Sequence, residues 1–296
     1  MKNYQYYVLD VFTHERYSGN PLAVVLTEGD LPAPVYENIA REFGYSETSF
    51  IYYSEKEKAL KVRSFSPTGH EVGGAGHNLL GAVCVALLIK MDIFKEQQKE
   101  HFVIMKDDRI NLKVDLTDPD TPFIGMRQAP AIIKAFVEPA DVARALSLET
   151  NLVLSGDLSP TVVATEATHL MVPLKNVQAL QAARVEKRLL LEIAQSYGFE
   201  GFYCFTLFEQ DAPYIAQARF FNPGIGIDED PATGSAAGPL AGLLFHSGLI
   251  NASKTYRILQ GAQLNRPSVL MLEVVSSGIW ISGSSVVVME GRVYAA

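Results

Sequence analysis

Cysteine is scarce in this chain: Cys84 and Cys204 are the only two thiols among 296 residues. Two cysteines exclude a disulfide framework and a cysteine-rich zinc site, and they fit a reducing, cytoplasmic setting. Positive charge is scarce too. Lys and Arg number 25 against 33 Asp and Glu, a net charge of −8. Phosphate backbones demand a basic surface, so no nucleic-acid partner is expected, and the same acidity disfavours anionic membranes. Long hydrophobic runs are missing as well. The apolar run at 79–89 stops at Lys90, short of the roughly 18 to 20 residues that span a bilayer. The stretch 232–249 has no Asp, Glu, Lys or Arg, but Gly234, Gly238, Pro239, Gly242 and Gly248 make it a poor membrane helix. Both stretches are expected to be helices buried in a soluble fold, with no membrane partner. The first ten residues carry one lysine and no apolar run, so no signal peptide is expected there.

What is present is an ordinary globular composition, 48% hydrophobic and 20% charged, long enough for two domains of about 150 residues. Strand signals dominate: short segments rich in β-branched and aromatic residues lie at 6–12, 22–27, 48–53, 59–65, 102–105, 110–116, 161–165, 170–172, 202–207, 215–221, 270–275 and 286–289. A helix is predicted over 33–43, with Val35, Ile39 and Phe43 on one face and Gly44 as its stop. Another begins near His77, a third covers 177–197 and ends at Gly198, and a fourth begins near Ser235. Strands and helices are segregated rather than alternating, which reads as α+β. The charge runs 55–58 and 95–100 read as solvated turns.

An internal repeat organises the rest. Arg63-Ser64-Phe65-Ser66-Pro67 matches Arg219-Phe220-Phe221-Asn222-Pro223; two residues further out of step, Glu71 matches Glu229 and Ala75-Gly76-His77 matches Thr233-Gly234-Ser235. Coincidence between two apolar segments is one reading. The other is a duplicated fold with halves 1–128 and 129–296, the last strand free to return to the first half.

Each copy places small residues where a helix begins: Gly74-Ala75-Gly76-His77 and Ala232-Thr233-Gly234-Ser235. The first amides of a helix are unpaired donors under a positive dipole, suited to a carboxylate or an enolate. Two such termini facing each other would grip one anion; the bland alternative is that the glycines only permit tight helix–sheet packing. Rival motifs fail. Leu79 stands where a dinucleotide fingerprint needs its third glycine, no Gly-Lys-Ser/Thr follows either turn, and Ser235 is not in a nucleophile elbow. His70 and His77 with Glu71 make only a weak metal set, so no metal is expected. Among carboxylates, Asp228-Glu229-Asp230 is either a solvated turn or a cluster whose mutual repulsion raises one pKa. Glu47, before an apolar strand, is either a surface carboxylate or a partly buried general base. His77 could relay a proton or donate to a substrate oxygen. His14, His101, His169 and His246 read as structural or surface residues.

Asp10-Val-Phe-Thr13, Gly19-Asn-Pro-Leu-Ala-Val-Val25, Glu47-Thr-Ser-Phe50, Ala75-Gly-His77, Glu229-Asp-Pro-Ala-Thr-Gly-Ser-Ala236, Gln260-Gly261 and Arg266-Pro-Ser268 together resemble the PhzF-like family of phenazine biosynthesis. The resemblance covers essentially the whole chain. It implies the diaminopimelate epimerase-like fold, two pseudo-symmetric halves each built as a curved, mostly antiparallel sheet around a central helix. It further implies a homodimeric, cofactor-independent isomerase acting on a small carboxylate-bearing metabolite. By motif match Glu47 would remove a proton from carbon, His77 and Asp230 would assist its delivery, Ser235 would orient substrate, and the amides of Gly76, His77, Gly234 and Ser235 would hold the carboxylate. The epimerase branch of the fold uses a cysteine in each half. Ala75 and Thr233 stand at those positions, which excludes a thiol-based racemase. Val72-Gly73-Gly74 and Asn78 depart from the family's usual residues and bear on pocket shape. The competing readings are a catalytically silent ligand-binding or scaffolding dimer and a lyase.

Overall fold

A computed structural model describes residues 2–91, 101–118, 120–209 and 212–295; the charge run at 95–100 lies outside them. The chain forms two compact units, residues 1–127 with 282–296, and residues 128–281.

In the first unit β1 (Asn3–Val11) lies between β2 (Asn20–Leu26) and the end of the last strand, both antiparallel to it. β2 runs parallel to β3 (Thr48–Ser54), which turns at residues 55–58 into β4 (Ala59–Phe65). The short β5 (Glu71–Val72) pairs with β4, and β6 (His101–Met105) lies parallel to it before β7 (Asp108–Asp115) and β8 (Phe123–Gln128). Two helices cover this sheet. α1 (Ala33–Phe43) is amphipathic, and Gly44 ends it in the left-handed region at φ 68°, where glycine lacks a steric penalty. Its Tyr36 and Ile39 pack with Tyr4, Val25, Phe50 and Phe65. α2 (His77–Leu88) has no polar face, and every residue from His77 to Ala86 is buried, as expected for a helix apolar all round. It lies against β1 to β4. At Gly81 an added Cβ would sit 2.5 Å from a Leu22 methyl, so glycine is what lets this helix settle on the sheet.

The second unit repeats the plan. β9 (Ile132–Phe136), β10 (Thr161–Ala164) and β11 (Thr168–Pro173) are antiparallel neighbours; β12 (Gly201–Leu207) runs parallel to β11. β13 (Ala216–Asn222) pairs with β12, with β14 (Ile227–Asp230), and in parallel with β15 (Thr255–Gln260), which turns into β16 (Ser268–Val275). α3 (Pro139–Ala145), α4 (Val177–Ala182) and α5 (Lys187–Tyr197) close an outer core of Val142, Leu146, Leu180, Leu190, Phe202 and Phe221. α6 (Gly234–His246) is the counterpart of α2, buried at every position from Ala236 to Leu244. Gly242 lets it approach Ala131, whose Cβ would lie 2.0 Å from a new methyl. The strand β17 (Gly278–Tyr294) begins in the second unit and ends in the first.

The helix predicted over 177–197 is two helices. Arg219, on β13, donates to the carbonyls of Leu180 (2.8 Å) and Ala183 (3.1 Å). The amides of Arg184 and Glu186 bond to Leu146 and Ala145. Backbone groups that would continue the helix are captured from outside it. β5, β8, β9, β14, β15 and α3 had no predicted counterpart.

Candidate active site

In the first unit the chain leaves α1 at Gly44 and reaches β3 through Tyr45, Ser46 and Glu47, all partly buried. Glu47 is the residue immediately before the strand. His77, the first residue of α2, is only 5% exposed. Ser46 Oγ stands 3.5 Å from His77 Nε2, so the serine beside Glu47 connects the carboxylate's segment to the imidazole. Burial pushes the imidazole down to about 3, and a helix N-terminus opposes a cation there. His77 is therefore a neutral hydrogen-bonding group at neutral pH.

The turn before α2 is not as expected. Asn78 Oδ1 accepts from the amides of Gly76 and Leu79, both at 2.8 Å, and Asn78 Nδ2 donates to the Gly74 carbonyl at 3.0 Å. The Gly76 amide, assigned above to a substrate carboxylate, is engaged here by a side chain of its own helix. Gly76 itself adopts an extended φ of −155° that any residue can reach. Glu71, considered beside His70 and His77 as a metal set, is forked by Arg63 (Nε 2.7 Å, Nη2 2.8 Å).

In the second unit the acidic run is strand β14, and it is not a cluster sharing protons. Alternation sends its members to different partners. Asp228 is exposed and pairs with Lys187. Glu229 receives the fork of Arg219 (Nε 2.9 Å, Nη2 2.7 Å). Asp230, 5% exposed, accepts the Thr233 hydroxyl at 2.6 Å. Gly234 and Ser235 form the first turn of α6, Gly234 buried and Ser235 partly so; Gln128 Nε2 donates to the Gly234 carbonyl at 3.0 Å. Gln260 sits behind them, fully buried, bonded to Tyr203, Thr233 and the Asp230 carbonyl. Thr233, Gln260, Tyr203, Ser46 and Asn78 received no role from the sequence, although Gln260 was visible as part of a motif and Thr233 as a cysteine replacement.

Both thiols are buried, Cys84 in α2 and Cys204 in β12, and burial pushes each up to about 12. Neither can serve as a thiolate base near neutral pH. His169 is also buried, held down to about 3, its ring edge-on to Phe220 at 5.2 Å, and neither ring nitrogen has a hydrogen-bond partner among the described residues. Among those residues no helix is long and apolar enough to cross a membrane.

The family model described as phenazine biosynthesis-like protein, PhzC-PhzF, matches residues 9–291. A trans-2,3-dihydro-3-hydroxyanthranilate isomerase of Pseudomonas aeruginosa is 30% identical over 98% of this chain and 99% of its own. Among solved structures, a predicted epimerase from Pseudomonas aeruginosa superposes with a TM-score of 0.84 at 26% identity, covering 99% of this chain and 100% of that one. A PhzF-family phenazine biosynthesis protein of Bacillus anthracis superposes at 0.86 with 24% identity over the same shares, a likeness of fold. The diaminopimelate epimerase-like architecture implied by the family resemblance is the one observed.

Proposed function

The chain belongs to the PhzC-PhzF family of phenazine biosynthesis-like proteins and is an isomerase; from that premise we propose a cofactor-independent proton shift on a small carboxylate-bearing metabolite. Glu47 removes a proton from a carbon beside an unsaturated or carbonyl system. The electron pair moves into that system, and the proton taken up by Glu47 is returned at another carbon, its delivery assisted by Asp230 and the hydrogen-bonding imidazole of His77, so that Glu47 ends the cycle ionised. The amides of Gly234 and Ser235 hold the substrate carboxylate, and the Ser235 hydroxyl orients it. The observation that carries this reading is the Glu47–Ser46–His77 group: a half-buried carboxylate next to a serine whose hydroxyl lies 3.5 Å from a buried, neutral imidazole. With both thiols held protonated, a carboxylate base is favoured over a thiolate one.

The test is solvent-deuterium exchange. Wild-type protein incubated in D2O with trans-2,3-dihydro-3-hydroxyanthranilate, and with a panel of small unsaturated carboxylic acids, is expected to wash deuterium into carbon of at least one compound. Binding without exchange across the panel would identify a silent binder instead, and fragmentation a lyase. The family resemblance also implies a homodimer, which light scattering of the purified protein checks.

A further inference from the structure

We propose that Tyr203, Gln260 and Thr233 form a one-directional hydrogen-bond chain that ends on Asp230 and holds its carboxylate ionised and oriented, making them positioning residues for the reaction. The proposal rests on the reading of Asp230 as a proton carrier. The chain's direction, however, follows from chemistry independent of that reading. Gln260 Oε1 receives the Thr233 amide at 3.1 Å, and Gln260 Nε2 faces the Asp230 carbonyl at 2.8 Å. A backbone N–H can only donate and a carbonyl can only accept, so the side-chain amide has one possible orientation.

The rest follows link by link. Oε1 also accepts from the Tyr203 hydroxyl at 2.9 Å. Tyr203 is fully buried, and its burial and the Asp230 charge both hold the phenol protonated. Nε2 donates to Thr233 Oγ1 at 3.0 Å. A hydroxyl that accepts there has one proton left to give, and it lies 2.6 Å from Asp230 Oδ2. The chain therefore ends by donating to Asp230 Oδ2, a bond that favours the ionised carboxylate. The nearest ion pair, Arg219 with Glu229, belongs to the alternate face of β14.

The repeat shows that the fold itself does not require this chain. β6 lies parallel to β4 as β15 lies parallel to β13, and the matched ladders put Met105 where Gln260 stands. The same registers put Ser49 opposite Tyr203's position and Val72 at that of Asp230, while Ala75 matches Thr233. The first unit builds the same strands and helix around residues that cannot form the chain. Its presence in the second unit therefore calls for a purpose beyond packing.

The experiment uses full-length protein labelled with 13C at the aspartate carboxyls, the Asp230 signal being assigned by its loss in Asp230→Asn. Loss of a hydrogen bond to a charged group shifts its titration midpoint by roughly one to two units. Thr233→Val is expected to raise the Asp230 midpoint by about that much, and Thr233→Ser to restore it. Tyr203→Phe removes a bond two links away. With about 10–30% cooperative strengthening per bond, it is expected to raise the midpoint by about 0.2 to 0.5 unit. Should Thr233→Val fail to fold, Tyr203→Phe decides. Midpoints unmoved in the folded variants, whatever their melting temperatures, overturn the proposal. Failure of the underlying reading looks different: the midpoints move as expected, but Asp230→Asn keeps full deuterium exchange.

Discussion

The two halves share a device and differ in what they build around it. In each, an arginine two residues before a phenylalanine forks a glutamate on the next short strand: Arg63 with Glu71 beside Phe65, Arg219 with Glu229 beside Phe221. In the first half the guanidinium side chain is 20% exposed and also meets Asp30 at 2.9 Å; in the second it is 9% exposed and also ends α4 by binding its carbonyls. The shared fork ties each helix-opening turn to the sheet and marks the duplicated scaffold. In the reading proposed above, the unshared groups carry the chemistry: Glu47, Ser46 and His77 in one half, Asp230, Thr233, Gln260 and Tyr203 in the other. The duplicated fold supplies the scaffold twice, and the two copies carry different polar groups at non-equivalent positions.

If the halves divide labour in this way, Glu47→Gln keeps the fold and lowers turnover by about 10² to 10⁴-fold, the range for a positioned general base. Rates of deuterium exchange on a confirmed substrate check it, and an unchanged rate removes Glu47 from the mechanism. The forks are expected to differ next. Arg219→Met strands a nearly buried Glu229 and costs about 3 to 5 kcal/mol, whereas Arg63→Met, on the more exposed fork, costs less. Urea denaturation of both variants reads the difference, and equal losses would show that burial does not separate the two forks. A third contrast is in pH. His77 and His169, one in each half, are both held down to about 3 against an unfolded value near 6.5. Between these values the unfolded chain binds more protons. Stability is therefore full above about pH 6.5 and falls as pH drops towards 3, by up to about 1.4 kcal/mol per unit for each histidine. His169→Phe is expected to flatten that slope by one histidine's share, as read from melting temperature against pH. The smallest effect is at the cap. Asn78→Ala loses about 1 kcal/mol and frees the Gly76 and Leu79 amides. Chemical denaturation reads the loss, and calorimetric titration with a small carboxylate is expected to show tighter binding than in wild type.

Much of this was legible in the letters because it is local. The predicted span 33–43 and the stop at Gly44 coincide with α1, since periodicity and a left-handed glycine are both properties of adjacent residues. The repeat was legible because Arg63, Glu71 and Gly76 recur as Arg219, Glu229 and Gly234, and it agrees with the two-halved fold that the family resemblance implied. What escaped depends on distant partners. The break within 177–197 is made by Arg219 on another strand. Strand β17 read only as 286–289, because Ser282-Gly283-Ser284-Ser285, with no strand-like side chains, interrupts it after Ile279-Trp280-Ile281. Gly283 is there for Phe12, whose ring would meet an added Cβ at 2.6 Å. Asn78 showed only as an unusual residue after His77, and its capping role needed coordinates. The acidic run was misread because three adjacent carboxylates resemble a turn until strand alternation deals them to three partners.

The excursion of the final strand has a consequence for how the protein is made. β1 pairs with residues as late as Tyr294, so it finds its last ladder neighbour only after residues 128–281 have been made. Residues 128–281 are contiguous and emerge together, free to condense first. Domains usually mature from the N-terminal end during synthesis; in this chain the order is expected to be reversed. A gene fragment stopped after residue 127 would leave one edge of β1 without its pairing strand.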